Sequence, residues 1–330
     1  MICLNVLEHA ETRFGGIVSS VPALARAIAR DGRYRNQNAA FCDRTEAPVS
    51  GFIRLPSSRF EWLARRPARR TFDALVSGAD LVHVHGLWSQ HALAACLSAR
   101  RHRKPYVVSA HGMLEPWALR HKSWKKALYG ALVERRNLRR AACLRALTRQ
   151  EVADYRSYGV RLPIAVVPNG IDPVPAAWPD AFLAAWPALR GRRLALFLSR
   201  VHYKKGLDVL CRAWAAAPRR HGDHLVIAGP DSEGTRARLD PLIAQLGIAQ
   251  EITFTGLLRG ELKWSALAAA HVFVLPSYSE GFSVAVLEAL GAAVPVIVSE
   301  GCNLPEIADR GCGWVVAPET PAVAAALAEA

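Results

Sequence analysis

The chain has 330 residues, 51% of them hydrophobic and 21% charged, and a formal net charge of +14. That length suits two domains of about 150 residues each better than one core, and the composition is ordinary for a soluble globular protein. No stretch approaches the roughly 18 consecutive apolar residues of a membrane span. The seven cysteines contain no C-x-x-C pair, so they suggest neither a disulfide framework nor a zinc site and suit a reducing cytoplasm.

The first apolar run, MICLNVL, is too short for a signal-peptide core and reads as a strand. FGGI follows at 14–17 and opens a helix over 17–30. The paired glycines Gly15 and Gly16 let backbone N–H groups approach an anion closely, or simply make a tight turn. NAAFC is the next strand, and RFEWLARRPARR at 59–70 is strongly basic. DLVHVH, a helix over 88–101 and the strand PYVVSA lead to His111-Gly112. A histidine at such a strand tip lies at the ligand edge of a sheet, although a structural histidine fits as well. His83 reads as structural, and His85 is open. A second basic segment, at 118–140, precedes the strands LRAL and IAVVP.

The charge is asymmetric: residues 1–172 hold 28 Lys and Arg against 13 Asp and Glu, and the remainder 14 against 15. Both basic segments mix cations with Trp and Leu. They read as a solvated face, or as a surface meeting an anionic membrane leaflet, where each cation contributes about 1 kcal/mol. No helix-turn-helix, zinc-finger or RNP signature supports nucleic acid as a partner.

PNGIDPVPAAWPD at 168–180, with four prolines and an Asn-Gly turn, predicts a linker over 169–180 between domains at 1–168 and 181–330. Beyond it, RLALFLS, HLVIAG, EITFTG, HVFVLP and PVIVS alternate with helices over 204–217, 235–247 and 260–270. Continuous Val/Ile/Leu runs separated by helices predict α/β domains with parallel sheets covered on both faces, and such sheets bind ligands beyond their strand C-termini. G-x-G-x-x-G after the first strand, G-x-x-x-x-G-K-[ST] and D-x-D are all absent. These absences argue against a dinucleotide oxidoreductase, a P-loop NTPase and a metal-held nucleotide sugar.

Two strand ends carry unusual polar groups. Arg200 leaves RLALFLS, and Lys205-Gly206 follow where a helix begins, a phosphate-binding arrangement. The second is SEGFSVAVLEALGAAVPVIVS at 279–299. Glu280 sits in a loop before a helix starting near Phe282-Ser283, whose free N–H groups suit a phosphate. Glu288 follows eight residues later, roughly 12 Å along a helix and about two turns inward. A carboxylate there fits a ribose diol, or a helix edge facing water.

SEGFSVAVLE, Arg200 with Lys205-Gly206, Gly15-Gly16, His111-Gly112 and PNGID at 168–172 together resemble a family 4, or group 1, retaining glycosyltransferase over nearly the whole chain. The resemblance implies a GT-B fold, two Rossmann-like domains with parallel sheets facing a central cleft. It also implies a nucleoside diphosphate sugar as donor, no cofactor and no metal. Arg200 and Lys205 would hold the diphosphate, Glu280 the sugar hydroxyls and Glu288 the ribose. The N–H groups of Gly281, Phe282 and Ser283 would lie near phosphate and sugar. Gly16 would face the phosphate, and His111 would lie by the sugar. Gly229, Pro230 and Leu257 would border the base, and Asn169 would lie on the hinge side.

The activity so implied is metal-independent hexosyl transfer to a glycan or polyprenyl-linked acceptor. It would serve cell-surface polysaccharide or lipopolysaccharide synthesis, in the cytoplasm or at the inner face of the cytoplasmic membrane. Two departures stand out. The family has a glycine where Ala293 precedes Val294-Pro295, and its chains normally continue through further helices after residue 330. The second departure raises the alternative of a weak or inactive nucleotide-sugar binder. A glycoside hydrolase using Glu280 and Glu288 would need them to face one bond about 5–9.5 Å apart, and the reading above sends them to opposite ends of one ligand.

Overall fold

The computed structural model describes residues 1–9, 16–42, 51–56, 66–120, 123–218, 220–231 and 233–330. The chain forms two compact units, Met1–Gly170 and Ile171–Ala330. Unit 1 carries strands β1 (Ile2–Leu7), β2 (Arg35–Cys42), β3 (Phe52–Pro56), β4 (Leu81–His85), β5 (Tyr106–Ser109), β6 (Cys143–Ala146) and β7 (Ile164–Val166). All pair in parallel, in the order β3-β2-β1-β4-β5-β6-β7. Its helices are α1 (Gly16–Ala29), α2 (Arg66–Gly78), α3 (Gln90–Arg101), α4 (Pro116–Arg120), α5 (Ser123–Tyr129), α6 (Arg135–Arg139) and α7 (Arg149–Ser157).

Unit 2 repeats the plan with β8 (Arg193–Leu198), β9 (Asp223–Ala228), β10 (Ile252–Gly256), β11 (Ala270–Leu275), β12 (Val296–Ser299) and β13 (Gly313–Val316). Its parallel order is β10-β9-β8-β11-β12-β13. Here α8 (Asp180–Ala185), α9 (Leu207–Ala216), α10 (Thr235–Gln245), α11 (Gly260–Ala269), α12 (Val284–Gly291), α13 (Glu306–Asp309) and α14 (Thr320–Glu329) supply the helical layers. The central strands of unit 2 are apolar on both faces, with Phe197, Ile227, Val274 and Ile297 on one and Leu196, Val226, Phe273 and Val296 on the other, all buried. In unit 1 Leu4, Val6, Val82 and Val84 share one buried apolar face, and the opposite face carries Asn5, His83 and His85. Each buried apolar side chain contributes about 1.5–3 kcal/mol by leaving water.

β3 and β13 escaped the sequence reading, which counted six and five strands where the sheets have seven and six. Both are edge strands. An edge needs no continuous apolar run: β3 exposes Arg54 and ends at Pro56, and β13 opens on Gly313. Of the basic segment 59–70, residues 59–65 lie outside the described residues; Arg69 and Arg70 are exposed on α2. A groove of about 480 Å³ between α2 and α3, lined by Phe72, Leu93, Leu97 and Arg101, holds none of the site residues read from the sequence.

The departure at Ala293 has a structural consequence. At the end of α12 the Val294 N–H donates to Ala289 O and the Ala293 N–H to Leu290 O, the Schellman pattern that places a left-handed residue at Ala293. Its φ is +59°, a conformation that costs an L-residue about 1–2 kcal/mol. Ala293→Gly should therefore stabilise the protein by about 1 kcal/mol, raising Tm by about 2–4 °C. A lowered Tm in a thermal melt would contradict this.

Candidate functional site

In unit 2 the strand order reverses between β8 and β11, so their C-terminal ends flank the opening where open α/β sheets take ligands. Arg200 lies just past β8; it is half-buried and has no side-chain partner among the described residues. The chain then turns through a single 3-10 turn, Tyr203–Lys205, and α9 starts only at Leu207, later than the predicted 204. Gly206 takes φ +66°, and a Cβ there would lie 2.0 Å from Pro276 O. That close approach, with the Tyr278 N–H donating to Lys204 O at 2.9 Å, binds the turn to the loop after β11.

Across this contact the buried Lys205 ammonium bonds Glu280 Oε1. The Ser277 hydroxyl donates to the same oxygen at 2.8 Å. Burial by itself would raise the Glu280 pKa; the Lys205 charge and hydrogen bond, with Ser277, reverse this and hold the carboxyl below the usual range. The Glu280 backbone is pinned as well, its N–H donating to Gly301 O at 2.7 Å and its carbonyl accepting from Asn303 Nδ2 at 2.8 Å. Ser277, Gly301 and Asn303 were not singled out from the sequence, because only the crossover to β12 brings the latter two alongside.

Gly281 and Phe282 are half-buried loop residues, and Ser283 is the N-cap of α12. Its side chain makes no capping bond, so the first-turn N–H groups of α12 remain available to an anion. The helix is shorter than expected. It starts at Val284, so Glu288 lies about one turn inside it and the 12 Å helical ruler does not apply. Nor does Glu288 face open water: it is half-buried, and Lys263 Nζ on α11 bonds its Oε1 at 2.7 Å. The Oε2 atom has no hydrogen bond among the described residues.

The Val201 N–H donates to Pro230 O at 2.9 Å and the Gly229 N–H to Gly256 O at 2.8 Å. Gly229 and Pro230 are thereby held beside the ends of β8 and β10, with Leu257 exposed next to them.

Unit 1 presents a second polar cluster, around His111. This residue has φ +54°, rare for a residue other than glycine. The conformation is held from both sides by α7: Glu151 Oε1 accepts from the Gly112 N–H at 2.7 Å, and Tyr155 Oη from the Ala110 N–H at 2.8 Å. Glu151 Oε2 also accepts from the Leu147 N–H at 2.6 Å. The sequence signal for this clamp was T-x-x-E at 148–151, a capping-box spacing; Thr148 does cap α7, accepting from the Glu151 N–H at 3.1 Å.

The histidine's partners fix its tautomer. Asn5 Nδ2 donates to Asn38 Oδ1 at 2.9 Å, which turns Asn5 Oδ1 toward His85 Nε2 at 3.3 Å. His85 therefore carries its proton on Nε2 and accepts through Nδ1 from His111 Nε2 at 3.0 Å. His111 Nδ1, buried and without a hydrogen-bond partner among the described residues, is left as an acceptor. Burial, with the nearby Arg145 charge, lowers the His111 pKa to about 3. His111 is thus built to receive a hydrogen bond and not to deliver a proton. His85, left open by the sequence, belongs to this chain, while His83 bonds Ser109 Oγ at 2.8 Å.

Arg145, buried at the end of β6, donates to Val167 O, Pro168 O and Asn169 Oδ1 at 2.9, 3.1 and 3.1 Å, which fixes Asn169. Gly16 is the first residue of α1 and exposed; Gly15 lies outside the described residues.

Residues 182–330 match the family described as glycosyl transferases group 1, and residues 15–170 match the glycosyl transferase 4-like domain. The chain belongs to the group 1 glycosyltransferases. An uncharacterised glycosyltransferase of Methanocaldococcus jannaschii is 28% identical over 90% of this chain and 80% of its own length. The 2-deoxystreptamine N-acetyl-D-glucosaminyltransferase of Streptomyces fradiae is 28% identical over 83% of this chain and 67% of its own. Among solved structures, Anabaena HepE in complex with UDP and glucose superposes with a TM-score of 0.80, at 19% identity, over 100% of this chain and 89% of that one. The fold of this glycosyltransferase is GT-B, two parallel-sheet Rossmann-like units.

Proposed function

We propose that this glycosyltransferase moves a hexosyl group from a nucleoside diphosphate sugar to a glycan or lipid-linked acceptor, with retention of anomeric configuration and without a metal ion. The observation that carries the reading is the Lys205–Glu280 pair beside Arg200, which has no side-chain partner among the described residues, at the switch point of the second sheet. Arg200 and Lys205 supply fixed positive charge for the departing diphosphate, whose negative charge grows as the glycosidic bond breaks. The first-turn N–H groups of α12, presented after Gly281, Phe282 and Ser283, add donors to the same anion.

Glu280, kept ionised by Lys205, has its remaining oxygen for sugar hydroxyls, and Glu288 Oε2 for the ribose. Gly229, Pro230 and Leu257 border the base. In unit 1, His111 Nδ1 offers an acceptor suited to a sugar hydroxyl. Since Glu280 serves as an anchor, the acceptor hydroxyl attacks from the side the diphosphate leaves, and a leaving phosphate oxygen takes its proton. An acceptor built on a polyprenyl lipid would place the reaction at the inner face of the cytoplasmic membrane, in cell-surface polysaccharide synthesis.

Melting the protein with UDP, GDP and ADP in turn, each with EDTA and with Mg²⁺, tests the donor site. One nucleotide at 100 times its Kd should stabilise the protein by about 2.7 kcal/mol, equally in both conditions. If none of the three raises Tm, the donor-site assignment fails; if only the Mg²⁺ series responds, metal independence fails. Retention is read from the anomeric proton coupling of the product by NMR.

A further inference from the structure

The turn that carries Lys205 is closed by a histidine side chain. His202 Nδ1 accepts from the Lys204 N–H at 3.0 Å. Asparagine and aspartate make this closure two residues along their own backbone in an Asx turn; here an imidazole nitrogen takes the place of the oxygen. Backbone bonds complete the turn. The Lys205 N–H donates to His202 O at 2.9 Å, the Gly206 N–H to Tyr203 O at 3.1 Å, and the Tyr278 N–H to Lys204 O at 2.9 Å. On the other side of the ring, His202 Nε2 lies 3.1 Å from Glu233 Oε2, in the loop after β9. A nitrogen that accepts carries no proton, so neutral His202 holds its proton on Nε2 and donates it to Glu233. That loop is fixed in turn. Asp231 accepts from the Thr235 and Arg236 N–H groups at 2.9 and 3.1 Å, and Pro230 O from the Val201 N–H at 2.9 Å. One half-buried ring thus ties the turn holding Lys205 to the loop holding Gly229 and Pro230.

We propose, on the donor-site reading above, that neutral His202 is a positioning residue that joins the base-side loop to the diphosphate-side turn, so that donor binding is lost in acid. It acts through Lys205, by fixing the backbone from which that ammonium reaches Glu280. A proton on Nδ1 would remove the acceptor and set an N–H against the Lys204 N–H. The charged and titratable groups facing the ring are Glu233 on the β9 loop and Arg200, Tyr203, Lys204 and Lys205 on its own segment. Burial first, and then the three cations, disfavour the imidazolium by more than Glu233 favours it, so His202 stays neutral to a lower pH than a free histidine. The closed turn is therefore complete above about pH 6.5 and is lost as pH falls through the lower folded value.

Calorimetric titration of the full chain with UDP, GDP and ADP, between about pH 8 and about pH 5, tests the role. The terminal phosphate of the nucleotide gains a proton in the same range. The quantity read is therefore the affinity lost on acidification by the parent divided by that lost by His202→Asn. The asparagine oxygen can accept from the Lys204 N–H at every pH. His202→Asn should bind within about 3-fold of the parent near pH 8, and the parent should lose at least about 3-fold more affinity in acid. His202→Ala, which has no acceptor, should bind about 10-fold more weakly throughout; if it does not fold, the asparagine ratio decides. Glu233→Gln removes the charge that favours the imidazolium and should move the acid loss to lower pH. If no nucleotide binds the parent, the donor site and this role fail together. If one binds, but the asparagine variant shares the whole acid loss or a folded alanine variant matches the parent, the positioning role alone fails. Relatively tighter binding by the parent in acid also overturns it, since His202 would then be a cation for the diphosphate.

Discussion

Glu280→Gln is expected to lower both stability and turnover. The substitution leaves the Lys205 ammonium buried beside a neutral amide, and removing one partner of a buried ion pair costs about 3–5 kcal/mol. Both side chains retain some exposure, so the lower figure applies, and Tm should fall by about 6–12 °C for a unit of this size. The pH dependence follows from the depressed carboxyl. A group whose pKa is lower folded than unfolded contributes stability that is fully present above its unfolded value and is lost as pH falls through the folded one. The deficit of Glu280→Gln should therefore be greatest at neutral pH and shrink below about pH 4.5, the group's unperturbed value. Melting curves across pH 3–8 read this directly, and a deficit that grows with acid would refute the pairing.

Turnover should fall about 10²–10³-fold, as when one fixed stabilising group is removed from a transition state. The double replacement Lys205→Met with Glu280→Leu separates the two roles. An apolar pair of similar volume should recover most of the lost Tm and none of the lost turnover. Recovery of both would mean that the pair is structural only.

Gly229→Ala is expected to be far more damaging than alanine at left-handed glycines with open space around them. At φ +151° its Cβ would lie 1.8 Å from Ser199 O. That carbonyl cannot retreat cheaply, because the Ser199 N–H is bonded to Ala228 O at 3.0 Å and the Val201 N–H to Pro230 O at 2.9 Å. The collision is with the Ser199–Arg200 backbone and not with a flexible side chain, so a loss of about 3–5 kcal/mol in urea unfolding follows. The nucleotide-induced rise in Tm should disappear with it. Gly234 is the control: its φ is +66°, but nothing lies within 4 Å of an added Cβ. Gly234→Ala should cost only the conformational penalty of about 1–2 kcal/mol. Equal losses at the two positions would show that conformation and not close approach governs Gly229.

The parts of this protein that could be read along the chain are those whose physics is local. Continuous apolar runs such as LVIA at 225–228 identified central strands, because a strand covered on both faces needs no alternation. FIRLP is interrupted by Arg54, since an edge needs no such run, while GWVV is apolar from Trp314 on and went unread. Arg200, Lys205 and Glu280 stood out because charges at the tips of buried strands conflict with their surroundings. The conflict marked the residues; it did not say that Lys205 and Glu280 bond each other, or that Glu288 already has Lys263.

By itself, then, the sequence determined two parallel α/β units, the cationic strand end at 200–206 and the acidic loop at 280. Tertiary structure alone decided the pairings. Lys205 and Glu280 are 75 residues apart, and they meet because β11 lies beside β8 after two crossovers to the other side. The His111 tautomer is set by Asn38, Asn5 and His85, one from each of β2, β1 and β4. Strand order fixes such neighbours, and it arises from how helices cover a whole sheet, which no short window of residues contains.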